Sequence, residues 1–131
     1  MIDSASFPGR GKVAVLRTAP ESVLDDIGRL MHMLDYQAAL PKDVRTFLKV
    51  NISWQQWYPA CSSTPWQLEG TIRTLIQDGY SDIVAAHNRT VVVDAYVGEV
   101  NNKHRLVTDR NGIPSLHLYE PEVEWVTYEP K

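Results

Sequence analysis

The chain is poor in the residues that build covalent or cofactor frameworks. It holds one cysteine, Cys61. That excludes an internal disulfide and any cysteine-rich zinc or iron–sulfur site made by this chain alone. Long apolar runs are also lacking, and none approaches the roughly 20 residues needed to span a bilayer. The N-terminal stretch has no apolar centre of the secretory kind. A cytoplasmic location is therefore the default expectation, and no membrane contact is expected. The tripeptides Asn51-Ile52-Ser53 and Asn88-Arg89-Thr90 match the glycosylation sequon, which carries little weight without secretion. There is no excess of basic charge. Thirteen Lys and Arg against 16 Asp and Glu give a formal net charge of −3, and the cations are scattered, so nucleic acid is not an expected partner. Dinucleotide-binding, P-loop, zincin and nucleophile-elbow motifs are missing. So are internal repeats and low-complexity tracts.

What is present is an ordinary globular composition, with 44% hydrophobic and 22% charged residues in a chain of 131. That length suits one domain, burying about two-thirds of its unfolded surface. Residues 1–11, with Pro8, Gly9 and Gly11, read as a flexible lead-in, and residues 12–131 as a single domain. Residues 12–17 are apolar on both strand faces, as in a buried strand. Thr18 and Glu21 have capping-box spacing, and Val23, Leu24, Ile27, Leu30, Met31 and Leu34 repeat at helical spacing. Phe47, Leu48, Val50 and Ile52 form a second strand pattern. A loop over residues 54–64 leads to another capping box, Thr64 with Gln67, and Pro65 at the first helical position. Asp78-Gly79 stops that helix.

Residues 82–86 form a third strand, with residues 90–93 as an extension or a short separate strand. Residues 96–110 read as a helix, weakened by Gly98, Asn101 and Asn102. Residues 115–119 make a fourth strand and residues 124–128 a fifth. Alternation of this kind predicts an α/β fold: a three-layer open, mostly parallel sheet of about four to five strands with right-handed crossover helices. Ligands of such sheets sit outside the carboxyl ends of the strands, here after Asn51 and after Ala86.

Four features cluster there. Ser62, Ser63 and Thr64 open a helix, where unpaired N–H groups and the positive dipole end can hold an anion. The same three residues fit a plain helix cap equally. Lys49 and Asn51 share strand parity. Lys49 fits either a ligand contact at the strand end or a snorkelling edge-strand lysine. Trp54, Trp57, Tyr58 and Trp66 fit either a ligand platform or a loop that plugs its own core. His87, Asn88, Arg89 and Thr90 follow the third strand. There His87 suits a base or metal ligand, and Arg89 suits bidentate pairing with phosphate or carboxylate. The predicted ligand-binding set is Lys49, Asn51, Ser53, Ser62, Ser63, Thr64, His87, Asn88, Arg89 and Thr90, with His87 and Lys49 as the catalytic candidates. Asn101, Lys103 and His104 read as a solvated helix face. Cys61 precedes a helix N-terminus, which favours a thiolate, but no base partners it. A metal site at His87 with Asp82 or Asp94 is conceivable, yet no spacing demands one, and no metal is assigned.

The order of Leu48-Lys49-Val50-Asn51, Ser62-Ser63-Thr64-Pro65 and Asp78-Gly79-Tyr80 resembles the N-terminal part of the domain of unknown function 362. Asn51-Ile52-Ser53-Trp54, Pro65-Trp66-Gln67-Leu68 and His87-Asn88-Arg89-Thr90 resemble one branch of it. The resemblance covers roughly residues 12–128. It implies an N-terminal portion of a longer domain, with a site shared with a missing C-terminal half or a partner chain. Many members carry iron–sulfur segments, which one cysteine does not support, so no cofactor is expected. The resemblance brings no reaction, and whether the chain is an enzyme stays open. Two functions follow as expectations. One is binding of a small anionic molecule at strand ends and a helix N-terminus, as part of an enzyme-like protein. The other is a non-catalytic interaction or homo-oligomerisation module using the tryptophan-rich loop.

Overall fold

A computed structural model describes residues 9–130. The elements are α1 (Val23–Met33), a 3-10 turn (Tyr36–Ala38), β1 (Thr46–Lys49), α2 (Pro65–Gln77), β2 (Ile83–His87), α3 (Ala95–Asn101), α4 (His104–Asn111) and β3 (Ser115–His117). The strands form one open parallel sheet in the order β1-β2-β3. Lys49 stands opposite Ala86, and His87 opposite His117. The two neighbouring strands thus end at one rim with a histidine each. No helix among the described residues is long and apolar enough to cross a membrane.

Local chemistry explains the best-formed elements. Thr64 and Gln67 complete the expected capping box, and Pro65 takes the first helical position of α2. Gly79 follows the helix with φ +88°, a left-handed conformation that a Cβ disfavours. β2 has no polar residue before its last position, and all five residues are buried, as a central parallel strand requires. Leu48, Val50 and Ala85 of the sheet region pack with Leu68 and Ile72 of α2 and Val107 of α4. Met31 of α1 joins the neighbouring cluster of Leu75, Tyr80 and Ile83. The helices therefore share one face of the sheet. α1 lies against α2 at glycine contacts: a Cβ on Gly70 would stand 2.8 Å from Ile27 Cβ, and one on Gly28 would stand 2.8 Å from Thr74 Oγ1.

Several sequence expectations are corrected. Among the described residues the sheet has three strands, not four to five. Residues 12–17 pair with no strand, and Val13 and Val15 are exposed. Their apolar pattern suits a strand but supplies no hydrogen-bonding neighbour. Thr18 does not form a box with Glu21. Its hydroxyl and that of Ser22 donate instead to the buried Asp26 carboxylate, at 2.9 and 2.6 Å, opposite Arg29 at 2.7 Å. Residues 90–93 form a turn closed by a Thr90–Val93 bridge. The helix expected over residues 96–110 is two helices. Asn102 caps the first, and Lys103 turns left-handed at φ 67°. Residues 124–128 form no strand, and Trp125, Val126 and Tyr128 are exposed. Of the expected lead-in, residues 1–8 lie outside the described residues.

Candidate functional site

The carboxyl ends of β2 and β3 carry a buried cluster of polar side chains. Glu99 points from α3 at His87, whose Nε2–H donates to Glu99 Oε1 at 2.6 Å. Arg105, from α4, donates through Nη2 to the other oxygen, Oε2, at 2.7 Å. His117 Nε2 lies 3.1 Å from Oε1. Glu99 is 1% exposed and His87 2%. Burial pushes the Glu99 carboxyl up, but hydrogen bonds from His87 and Arg105 and the nearby His117 outweigh it and hold it at about 2. Burial lowers His117 below its ordinary value and keeps its ring neutral near pH 7. The rings of His87 and His117 meet edge to face at 4.6 Å.

A cleft of about 440 Å³ adjoins this cluster, lined by Arg89, Thr90, Asp94, Tyr96, Tyr119 and Glu120 among others. The Tyr96 ring lies 4.2 Å from the His117 ring, and Tyr119 lies 5.9 Å from it. Both carboxylates of the cleft are engaged. Asp94 accepts from Val97 N–H at the start of α3, and Glu120 accepts from the Tyr96 hydroxyl at 2.6 Å. Arg89 stacks over Tyr119 at 5.8 Å, with no ion pair among the described residues.

The anticipated site is divided. Lys49 and Ser63 line a separate depression of about 330 Å³ beside α2. Lys49 sits on an edge strand and donates to its neighbour, the Val50 carbonyl, at 2.9 Å. Around it the loop bonds to itself. Ser63 Oγ accepts from Asn51 N–H, while the Asn51 amide reaches Ser53 Oγ and the Cys61 carbonyl. Thr64 N–H and Gln67 N–H are both taken by the capping box, and Pro65 has no N–H. Few donors of that helix start remain for an anion. Ser62 is buried, and its hydroxyl has no partner among the described residues. Arg89 and Thr90 line the other cleft, Asn88 is exposed, and His87 lies in the buried cluster.

Of the expected solvated face of Asn101, Lys103 and His104, Lys103 is exposed but His104 is not, and His104 acts together with Asn102. Both are buried, and they tie α4 and α3 to the tryptophan loop: His104 Nε2–H donates to Ser63 O at 2.6 Å, and the Asn102 amide to Trp54 O at 2.9 Å. Asp82 pairs with Arg45 away from the histidines, and Asp94 caps α3, so neither joins His87. Sequence reasoning missed Glu99, Arg105 and His117. The register rule alone could have found His117, since a strand ending in histidine beside one that ends in His87 brings the two rings to one rim.

The arrangement defines an open parallel α/β domain with a His–Glu–His–Arg cluster at the carboxyl rim of its sheet. No family model, curated protein or solved structure matches the chain.

Proposed function

We propose that this α/β domain binds a small anionic molecule in the cleft at the carboxyl ends of β2 and β3, as part of an enzyme-like protein. The observation that carries this reading is Arg89. Its guanidinium lies in the cleft over Tyr119, while both neighbouring carboxylates are committed to other donors. A planar cation left in that state suits bidentate contact with phosphate or carboxylate. The cleft volume falls in the range of small-molecule sites, about 300–1,000 Å³. Lys49 and Ser63 line a separate depression, the alternative place for an anion. Kinship to the domain of unknown function 362 belongs to the same proposal. The Lys49-Val50-Asn51 strand end and the Thr64-Pro65 helix start support it.

Thermal unfolding with a panel of phosphates and carboxylates tests the reading. A binder at about 100 times its Kd adds roughly 2.7 kcal/mol of stability. The expected result is a rise in Tm that Arg89→Ala abolishes and Lys49→Ala leaves intact. No rise with any anion overturns the reading, and a rise lost only in Lys49→Ala moves the site to the other depression.

One observation favours a second reading. Trp54, Trp57, Tyr58 and Trp66 are each about half exposed on one loop and the adjoining helix start, as on a surface that meets a partner protein or a second copy. Concentration-dependent sedimentation would support it. A monomer at all concentrations that captures no partner would count against it.

A further inference from the structure

We infer that His87, Glu99 and His117 bind a divalent transition-metal ion, with the two imidazoles and one carboxylate oxygen as ligands. The three side chains are all buried, and one ligand atom from each lies within 4.8 Å of the others. The donors come from the ends of two adjacent strands and from the helix that follows the first, so the backbone of three elements fixes them. Two histidines and a glutamate form a known catalytic zinc set, which leaves a fourth position open.

The hydrogen bonds of the cluster do not account for all of it. Each oxygen of Glu99 is engaged, Oε1 accepting from His87 and Oε2 from Arg105. His117 Nε2 is buried, stands 3.1 Å from Oε1, and makes no hydrogen bond among the described residues. An ion pair of Glu99 with Arg105 explains the arginine and leaves His117 Nε2 without a hydrogen bond. An ion held at Oε1 and both Nε2 atoms gives that nitrogen a partner. Ligand atoms around a tetrahedral zinc lie roughly 3.3 Å apart, given bonds of about 2.0–2.1 Å. On binding, the His87 Nε2–H bond to Oε1 is given up: the proton passes to Nδ1, Nε2 turns its lone pair to the ion, and the 2.6 Å contact opens by less than 1 Å, the 3.1 Å His117 contact hardly at all. Arg105 grips the oxygen that the ion does not need and holds the carboxylate plane, as outer partners of metal ligands do. Its side chain is 43% exposed, so water screens its charge.

Two imidazoles select zinc, cobalt or nickel over magnesium and calcium, which take oxygen donors. A single carboxylate next to an arginine sets a weaker affinity than a multi-carboxylate site would. His117 is the ligand that touches the cleft, through Tyr96 and Tyr119, so a fourth ligand reaches the ion from that side.

The test uses the full chain, stripped with a chelator and titrated with Zn²⁺ or Co²⁺ in the absence of any added anion, so that its outcome is independent of the Arg89 reading. The expected result is one ion per chain, visible Co²⁺ absorption of tetrahedral intensity, displacement by Zn²⁺, and indifference to Mg²⁺. His117→Ala lowers the affinity by at least about tenfold, since even outer-partner losses cost 10–100-fold, and Arg105→Ala lowers it by less. Circular dichroism checks that each variant is folded. Should the alanine variant of His117 not fold, proton NMR of the wild-type chain decides. The imidazole resonances of His87 and His117 shift on adding Zn²⁺, while those of His32 and His104 stay in place. Absence of Zn²⁺ and Co²⁺ binding by the folded chain, undiminished binding by folded His117→Ala, or shifts confined to His32 or His104 each overturn the assignment.

Discussion

His104 Nε2–H donates to the Ser63 carbonyl at 2.6 Å, across 41 residues of sequence. A carbonyl only accepts, so the neutral ring carries its proton on Nε2, and Nδ1 is left as a buried lone pair with no partner among the described residues. Protonating Nδ1 would place a cation in a buried site. Burial accordingly holds His104 below its ordinary value of 6.5. Below that value the unfolded chain binds the proton more readily than the folded one, so stability falls as pH drops through 6.5. We expect the Tm to decline from pH 7.5 to pH 5.5, and less steeply in His104→Gln. The substitution itself costs about 1–3 kcal/mol at neutral pH through the lost bond. An identical pH slope in the two proteins would reject the assignment.

Asp78 accepts hydrogen bonds from the Tyr36 hydroxyl and from His32 Nε2, each at 2.6 Å, at the junction of α2 with the turn after α1. The Tyr36 bond, with help from His32, holds the carboxyl at about 2, below its ordinary 3.8, although partial burial works the other way. A depressed carboxyl stabilises the fold above its unfolded value and loses that contribution as pH falls from 3.8 toward 2. Asp78→Asn should remove about 1–2 kcal/mol at pH 7 and flatten the acid limb of the unfolding curve. An unchanged acid midpoint would show that the carboxylate contributes nothing.

Gly70 sits inside α2, where alanine ordinarily gains about 1 kcal/mol of helix stability. Here the added methyl would meet Ile27 Cβ at 2.8 Å and the Leu24 carbonyl oxygen at 3.1 Å. Overpacking of that kind costs about 1–3 kcal/mol, so Gly70→Ala should be net destabilising. Urea unfolding of the variant reads the sign. A higher midpoint would mean that α1 and α2 are not held this closely.

Thr64→Ala removes the side-chain acceptor of the Gln67 N–H and opens the capping box. It should cost about 1 kcal/mol, and Thr64→Ser should restore most of it. Equal midpoints for all three proteins would show that the box does not hold the helix start.

Much of α2 and β2 was legible because the signals that set them lie within a few residues: Thr64 with Gln67, Pro65, Asp78-Gly79, and an unbroken apolar strand. The α/β class followed from the same alternation. The break between α3 and α4 was only hinted at by Asn101 and Asn102, because it turns on a left-handed lysine, Lys103, whose conformation no local pattern dictates. Residues 12–17 show the reverse failure. Their pattern is that of a strand, but strand formation needs a neighbour with free backbone groups, and pattern alone does not supply one.

His87 stood out in the sequence as the end of a strand, and Arg89 as a cation just beyond it. By themselves they defined a rim and nothing about its chemistry. Glu99 and Arg105 carry no local signal: each is a charged residue on a short helix, ordinarily solvated. Only the tertiary structure, by setting β3 beside β2 and folding α3 and α4 back over the rim, took Glu99 out of water between two histidines and an arginine. Local propensity acts over a few residues and set the elements. The site depends on contacts between residues far apart in the chain, which exist only once the strands have paired and the helices have packed on them.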